Sequence, residues 1–281
     1  MTKAGLAFSV VFSTLAGYLL AVENFEDINV RILIFLAIGG YCMVGASNTY
    51  NQIIERDTDL LMNRTKNRPV ASGRVSKQAA FILATILTIL GVVILYNISP
   101  KTAMFGAISI FLYTSVYTPL KSITPLSVFV GAFPGAIPFM LGWVAHTNDF
   151  GIEAGTLFLV QFFWQFPHFW ALGWFLYDDY QRGGFAMLPT GKKDQKTALQ
   201  IILYTFWLII VSIIPVFHFT GRLKLSIPAA LLVMAAGIWM LWAAIQLYKT
   251  RTDKAAKSLM LVSVTYISLI QIIYVVDKFL R

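Results

Sequence analysis

Charge is scarce in this 281-residue chain. Asp, Glu, Lys and Arg make up only 12% of it, 58% of residues are hydrophobic, and the mean hydropathy is +0.71. Water-soluble domains are roughly one quarter charged, so this balance excludes a soluble fold and implies an all-α, polytopic membrane protein. Thiols are scarcer still: the single Cys42 excludes an intramolecular disulfide and a cysteine-ligated metal, which leaves it a packing role within its span. Acids are the rarer charge, 13 against 22 bases, for a formal net charge of +9.

Long apolar runs are what the chain has in abundance. Nine of them approach or exceed the roughly 20 residues that a helix needs to cross a bilayer. They cover residues 4–22, 30–53, 78–98, 102–117, 125–145, 155–177, 198–217, 225–248 and 259–280, the fourth being the shortest. They are expected to form one integral-membrane domain over residues 1–281. Cytoplasmic loops hold the Lys and Arg excess of membrane proteins, which tests the count independently. With the N-terminus inside, that side receives Lys3, the six bases from Arg56 to Lys77, Lys121, the four from Arg182 to Lys196 and the four from Lys249 to Lys257. The far side keeps Arg31, Lys101, Arg222, Lys224, Lys278 and Arg281, together with the C-terminus. The positive charge therefore reports orientation, and no nucleic-acid partner is expected. The first span resembles a secretory signal in following Lys3 and ending in small residues, and it is read as retained. A chain that starts almost directly at its first span, without a long presequence, fits a bacterial cytoplasmic membrane better than an imported organellar protein.

Polar groups are costly at membrane depth, so those that occur there mark function. The second span ends in Asn48-Thr-Tyr-Asn51-Gln-Ile-Ile-Glu55-Arg-Asp57-Thr-Asp59. Residues i, i+4 and i+8 drift by only about 40° per step on an α-helix, so Asn51, Glu55 and Asp59 share a face, with Asn48 on the same side. Amide oxygens and carboxylates in such a row suit magnesium, which shares its coordination with substrate phosphates. Arg64, Lys66, Arg68, Arg74 and Lys77 follow, with Asn67, Pro69 and Gly73 breaking the helix, and supply the charge of a diphosphate cradle. A solvated helix end with a cytoplasmic anchor would leave the same acids and bases.

The sixth span repeats that chemistry in Trp164-Gln165-Phe-Pro-His168, running on to Asp178-Asp179-Tyr-Gln-Arg182-Gly-Gly. Two acid-tipped helices opening on one side can clamp a diphosphate through metal ions. His168 is expected roughly 15 Å inside the bilayer, on one face with Gln165 and, unless Pro167 bends the helix, with Asp179. A packed histidine bonded to a neighbouring helix is the plainer reading of its ring. Lys121, in the turn between the fourth and fifth spans, reads equally as a phosphate contact and as a topology determinant. Gly131, Pro134, Gly135, Pro138 and Gly142 permit kinks and close packing that can shape a cavity. The aromatic cluster from Phe162 to Trp174 reads as core, lipid contact, or a wall able to shield an allylic cation.

Asn51-x-x-x-Glu55-Arg-Asp57-x-Asp59 followed by Met62-x-Arg64-Thr-Lys66-Asn-Arg68-Pro69 closely resembles the first signature of the UbiA superfamily of intramembrane prenyltransferases. The resemblance continues through Tyr117-Thr-Pro-Leu-Lys121, the Gly- and Pro-rich fifth span, Trp164–His168 and Asp178–Gly184, and so covers most of the chain. The last two stretches resemble the members that use haem as acceptor. The chain departs from the superfamily pattern at Glu55, where Asp is usual, and in its second motif, which lacks a D-x-x-x-D because Arg182 stands four residues after Asp178.

The resemblance implies nine transmembrane helices in a UbiA-like bundle around a central cavity. It implies transfer of farnesyl from farnesyl diphosphate to a vinyl group of haem B, with water added, giving haem O and diphosphate. Haem B is then a substrate, and Mg2+ bridges the diphosphate. Asn51, Glu55, Asp59, Asp178 and Asp179 would hold magnesium and carry catalysis. Arg64, Lys66, Arg68, Lys121 and Arg182 would neutralise the leaving group, with Gln165 and His168 toward the haem. Partners would be the lipid bilayer and proteins of haem O processing or terminal-oxidase assembly. A quinone-precursor or other aromatic acceptor is the nearest alternative, and a secondary transporter the alternative of a different class.

Overall fold

The computed structural model describes residues 1–281 and contains helices only. Nine long helices run in the order α1 (Ala4–Ala21), α2 (Val30–Ile54), α3 (Lys77–Tyr96), α4 (Pro100–Leu120), α5 (Ser127–Thr147), α6 (Ile152–Phe175), α7 (Gln195–Ile213), α8 (Ile227–Thr250) and α9 (Asp253–Leu280). Eight are long and apolar enough to cross a membrane. The other is α6, whose 24 residues suffice in length but include Gln161, Gln165, Pro167, His168 and three tryptophans, all of which lower hydropathy. The chain is a multi-pass membrane protein with the expected bundle.

Local chemistry sets the helix starts. Ser76, Ser99, Asp194, Ser226 and Thr252 each accept a bond from a backbone N–H of the first turn, satisfying donors that a helix start leaves open. At the far end, Lys278 of α9 donates to the carbonyls of Leu19, Leu20 and Val22, which satisfies the last carbonyls of α1.

Consecutive helices pack as neighbours, α9 closes the ring on α1, and α1–α5 and α6–α9 pack across it. The α1–α5 crossing relies on two glycines. A Cβ on Gly17 would lie 2.0 Å from the Phe139 carbonyl oxygen, and one on Gly142 would lie 1.9 Å from that of Thr14, so the backbones touch directly.

The fourth span differs most from expectation. Instead of ending at Tyr117 it runs to Leu120, because residues Leu112–Tyr117 form a π-helical turn. That turn brings Tyr113 and Tyr117 onto the cavity wall, and Thr118 Oγ1 donates to the Tyr113 carbonyl at 2.7 Å. In α5, Pro138 cannot donate to the Pro134 carbonyl, which accepts from Ser109 of α4 at 3.3 Å instead.

Arg64, Arg68, Lys121 and Met187 meet around one cavity mouth, so the loops after α2, α4 and α6 lie at one end of the bundle. Lys193 pairs with Asp253 at 2.7 Å and brings the α8–α9 turn to the same end. With single-cysteine probes in a Cys42→Ser background, reagents entering from one side should label loops 56–77 and 178–196 and spare residues 146–153. Labelling of those two loops from opposite sides would contradict this arrangement.

Candidate active site

Both acid-bearing helices end in the same way. Helix α2 breaks at Glu55 (φ −88°, ψ 11°) and continues as a six-residue helix, Arg56–Leu61. Helix α6 breaks at Leu176 (φ −102°, ψ 20°) and continues as Tyr177–Arg182. The break in α2 is mild: Glu55 N donates to the Asn51 carbonyl at 2.9 Å, and Asp59 N to the Glu55 carbonyl at 2.7 Å. The helical period therefore carries through, and Asn48, Asn51, Glu55 and Asp59 stay on one buried row.

That row lies against bases from elsewhere in the chain. Lys121 Nζ reaches Glu55 Oε1 at 2.7 Å, while its ammonium sits 4.4 Å from the Tyr117 ring centroid. Arg68 Nη1 reaches both Asp59 oxygens, at 2.8 and 2.9 Å, and Glu55 Oε2 at 3.7 Å. Burial pushes the Asp59 carboxyl above the usual carboxylate range, with Arg68 pulling against it. Burial also works against the charge of Lys121, but Glu55 outweighs it and holds this amine above its ordinary value. Lys3 at the mouth has no such partner.

One cavity of about 410 Å³ joins these groups to the bundle interior. Its walls come from α1, α2, α4, α5, α6 and α9, and of the residues expected to form a site it gathers Asn51, Glu55, Arg64, Arg68, Lys121, Gln165 and His168. Asp59 stands behind the wall as the partner of Arg68. Lys66 is exposed outside the cavity, with Nζ on Asn63 Oδ1 at 3.3 Å. Asp178 is exposed, and both it and Arg182 lie outside the wall.

Asp179 has its oxygens taken up. Oδ1 accepts from Asn63 N at 2.7 Å and Arg182 Nη2 at 2.7 Å, and Oδ2 accepts from Arg64 N at 3.2 Å. It clasps the two motif loops together. Burial raises this carboxyl, but the bonds from Arg182, Asn63 and Arg64 outweigh it, so the net shift is downward.

The donor set facing the cavity is all oxygen: the Asn48 and Asn51 amides and the Glu55 carboxylate. Asn48 Nδ2 donates to the Val44 carbonyl at 2.9 Å, whereas Asn48 Oδ1 is buried without a partner. An orphaned amide oxygen on the row that leads through Asn51 to the Glu55 carboxylate offers the donor type that a hard divalent cation such as magnesium prefers. In the second motif Asp179 is bonded to the loop after α2 and to Arg182, and Asp178 is exposed.

Residues 10–269 match the profile of the UbiA prenyltransferase family. The chain belongs to that family. A protein from Flavobacterium psychrophilum named protoheme IX farnesyltransferase is 71% identical over 100% of this chain and 94% of its own. One of the same name from Cytophaga hutchinsonii is 41% identical over 99% of this chain and 96% of its own. A UbiA homologue from Archaeoglobus fulgidus solved with GPP and Mg2+ superposes with a TM-score of 0.68 over 100% of this chain and 99% of that one, at 11% identity. A structure described as digeranylgeranylglyceryl phosphate synthase in membranes gives 0.81 over 100% and 97%, at 18% identity. At these identities the two structures establish the UbiA fold.

Four further wall residues of this UbiA-family chain escaped the motif reading: Lys3, Ser13, Gln161 and Gln271. Gln271 Nε2 donates to Ser13 Oγ and to Gln161 Oε1, both at 3.1 Å. Polar side chains in the middle of α1, α6 and α9 were the available signal, since such residues face a bundle interior.

Asp179→Ala removes three charge-assisted bonds, each worth about 1.5–3 kcal/mol, and should free the segment that carries Arg64 and Lys66. Trypsin should then cut there faster by on the order of 10-fold. In the unaltered protein the clasp should hold from neutral pH down to about 5. A carboxyl held low keeps its stabilising charge above its unfolded value of about 3.9 and loses it only as pH falls through the lower folded value. Equal cleavage of the two proteins would remove Asp179 from this role.

Proposed function

We propose that this UbiA-family protein transfers the farnesyl group of farnesyl diphosphate to a vinyl group of haem B, with addition of water, giving haem O and diphosphate. The observation that carries this reading is a single cavity with two chemically different regions. Its mouth is charged by Glu55, Arg64, Arg68 and Lys121, and its interior is walled by Gln161, Trp164, Gln165, His168 and Phe169. The 71% identity to a protein named protoheme IX farnesyltransferase supports the choice of acceptor. The relative bound to GPP and Mg2+ supports the diphosphate chemistry.

Asn48, Asn51 and Glu55 would supply oxygen ligands to Mg2+, and Asp178, exposed outside the wall, would be open to a cation from solvent. Bound there, magnesium would supply positive charge that makes the diphosphate a better leaving group. Lys121 and Arg68, now paired with Glu55 and Asp59, turn toward the diphosphate, and Arg64 approaches from the loop. Lys66 and Arg182 add positive field at the entrance. Asp59 is the anchor that aims Arg68, and Asp179 fixes the loop that carries Arg64.

The carbon–oxygen bond of the allylic diphosphate breaks with its electron pair on the leaving group. Tyr113, Tyr117, Trp164 and Phe169 present ring faces to the allylic cation and keep bulk water from it. The vinyl π-electrons of haem B attack, and Gln165 and His168 lie on the acceptor side. No covalent protein nucleophile takes part. The protein works in the bacterial cytoplasmic membrane with its N-terminus and cavity mouth on the cytoplasmic side and its C-terminus opposite. Proteins of haem O processing and terminal-oxidase assembly are the natural recipients of its product.

Protein in nanodiscs given haem B, farnesyl diphosphate and Mg2+ should form a haem heavier by one farnesyl and one hydroxyl group, read by mass spectrometry. Prenylation of a hydroxybenzoate with none of haem would overturn the acceptor, and ion-driven solute flux without diphosphate release would overturn the chemistry. Asp59→Asn leaves Arg68 without its anchor at almost no change in volume. It should lower turnover on the order of 100-fold in folded protein. Full activity at limiting magnesium would contradict that role.

A further inference from the structure

We propose that His168 is the general base of water addition, and that Gln165 shares with it the task of orienting that water. This rests on the haem reading above, because ordinary transfer of a prenyl group to an aromatic carbon adds no water.

The free ring nitrogen is assigned from the hydrogen-bond pattern. Ser263 Oγ donates to the Met260 carbonyl at 2.6 Å, which uses its one proton. With that proton so placed, His168 Nδ1, 2.8 Å from the same Oγ, is assigned as the donor. With no carboxylate on the ring, a resting imidazolium would be an unpaired charge in the bilayer, so the ring is the neutral Nδ1–H tautomer and Nε2 carries a lone pair. Trp164 holds the ring plane, stacked at 4.7 Å and 18°, while its own Nε1 donates to the Ser263 carbonyl at 2.6 Å. One residue of α9 thus anchors both rings.

Gln165 is fixed in the same manner. Its Nε2 donates to the carbonyls of Ala132 at 2.8 Å and Gln161 at 3.2 Å, so both of its protons are used. Its Oε1 accepts no bond and packs over Gly135, where a Cβ would lie 1.9 Å away. Gln165 and His168 are three residues apart on α6, hence on one face, and both line the cavity. A water between Gln165 Oε1 and His168 Nε2 would give one hydrogen to each and turn its lone pairs outward.

The depth suits the reaction. His168 stands eight residues before the break at Leu176, and Asn48 seven before the break at Glu55. Asp179 ties the two broken ends together, so the imidazole and the upper oxygens of the diphosphate site lie at nearly the same level, roughly 10–12 Å below the breaks.

The step balances without another reagent. Carbon–carbon bond formation at the terminal vinyl carbon leaves the positive charge on the carbon next to the porphyrin ring. Water oxygen gives that carbon a lone pair, one O–H pair stays on oxygen, and the proton passes to His168 Nε2. The imidazolium keeps its Nδ1–H on Ser263, gains from the Trp164 face, and returns its proton to solvent through the mouth. Without a held water and its base the same cation gives up a proton from the neighbouring carbon to the released diphosphate, forming a farnesylated haem lighter by one water.

The test is the ratio of hydrated to unhydrated farnesyl haem, measured by mass spectrometry in His168→Ala, His168→Gln and Gln165→Leu, with farnesyl diphosphate binding measured alongside. Both His168 variants should lower hydrated product at least 10-fold and raise the unhydrated fraction. Imidazole should restore hydration in His168→Ala alone, and Gln165→Leu should shift the ratio less. An unchanged ratio in a His168 variant that binds farnesyl diphosphate would overturn the proposal. So would a changed haem Soret band with the ratio intact, which would make the ring an iron ligand. Absence of any farnesyl haem from the unaltered protein would instead overturn the function on which the proposal rests.

Discussion

Charge buried at the edge of a membrane must be paired, and four side chains at the cavity mouth meet that demand together. Glu55, Asp59 and Lys121 are buried and Arg68 is half-buried against them. An unpaired carboxylate or ammonium there would cost several kcal/mol. Much of the local structure serves this pairing. The mild break at Glu55 keeps its carboxylate on the row with Asn51 and Asp59, the loop after α2 folds back to return Arg68, and the extended end of α4 delivers Lys121. Asp179 holds that returning loop by two backbone N–H groups. Removing one member leaves another charge buried alone, which makes the mouth a unit.

The same pairing makes the site receptive to a diphosphate. Bases that already satisfy protein carboxylates can exchange them for phosphate oxygens, provided the acids gain a cation in return. The oxygen row of Asn48, Asn51 and Glu55 offers that cation a place, with the Asn48 oxygen lacking any partner within the protein. The interior answers a different requirement. A carbocation survives only where water is scarce and placed, and the wall combines aromatic faces with a few amide and imidazole groups whose hydrogen bonds fix their orientation.

Much of this was legible in the sequence for identifiable reasons. Spans were readable because lipid demands long apolar helices, and the bundle end was readable from Lys and Arg. Asn51, Glu55 and Asp59 were readable as a row because their hydrogen bonds carry the helical period through the break. The termination of the fourth span at Tyr117 was misplaced, since a π-helical turn leaves no signature in hydropathy. The clasp by Asp179 was hidden, because its partners are backbone N–H groups more than a hundred residues away and carry no side-chain signal. Spacing grouped Asp178, Lys66 and Arg182 with the site, while the structure holds them outside the cavity wall. Ser13, Gln161 and Gln271 passed unnoticed because single polar residues in three distant spans become a cluster only once α1, α6 and α9 meet.

The central claim is that the mouth exchanges its internal ion pairs for a diphosphate and a cation held together. Calorimetric titration of a non-ionising farnesyl thiodiphosphate, in magnesium and in chelator, measures that exchange directly. The account predicts binding at least 10-fold tighter with magnesium, and loss of that advantage in Glu55→Gln, whose amide gives the cation no charge. Equal affinity in magnesium and chelator for the unaltered protein would contradict it.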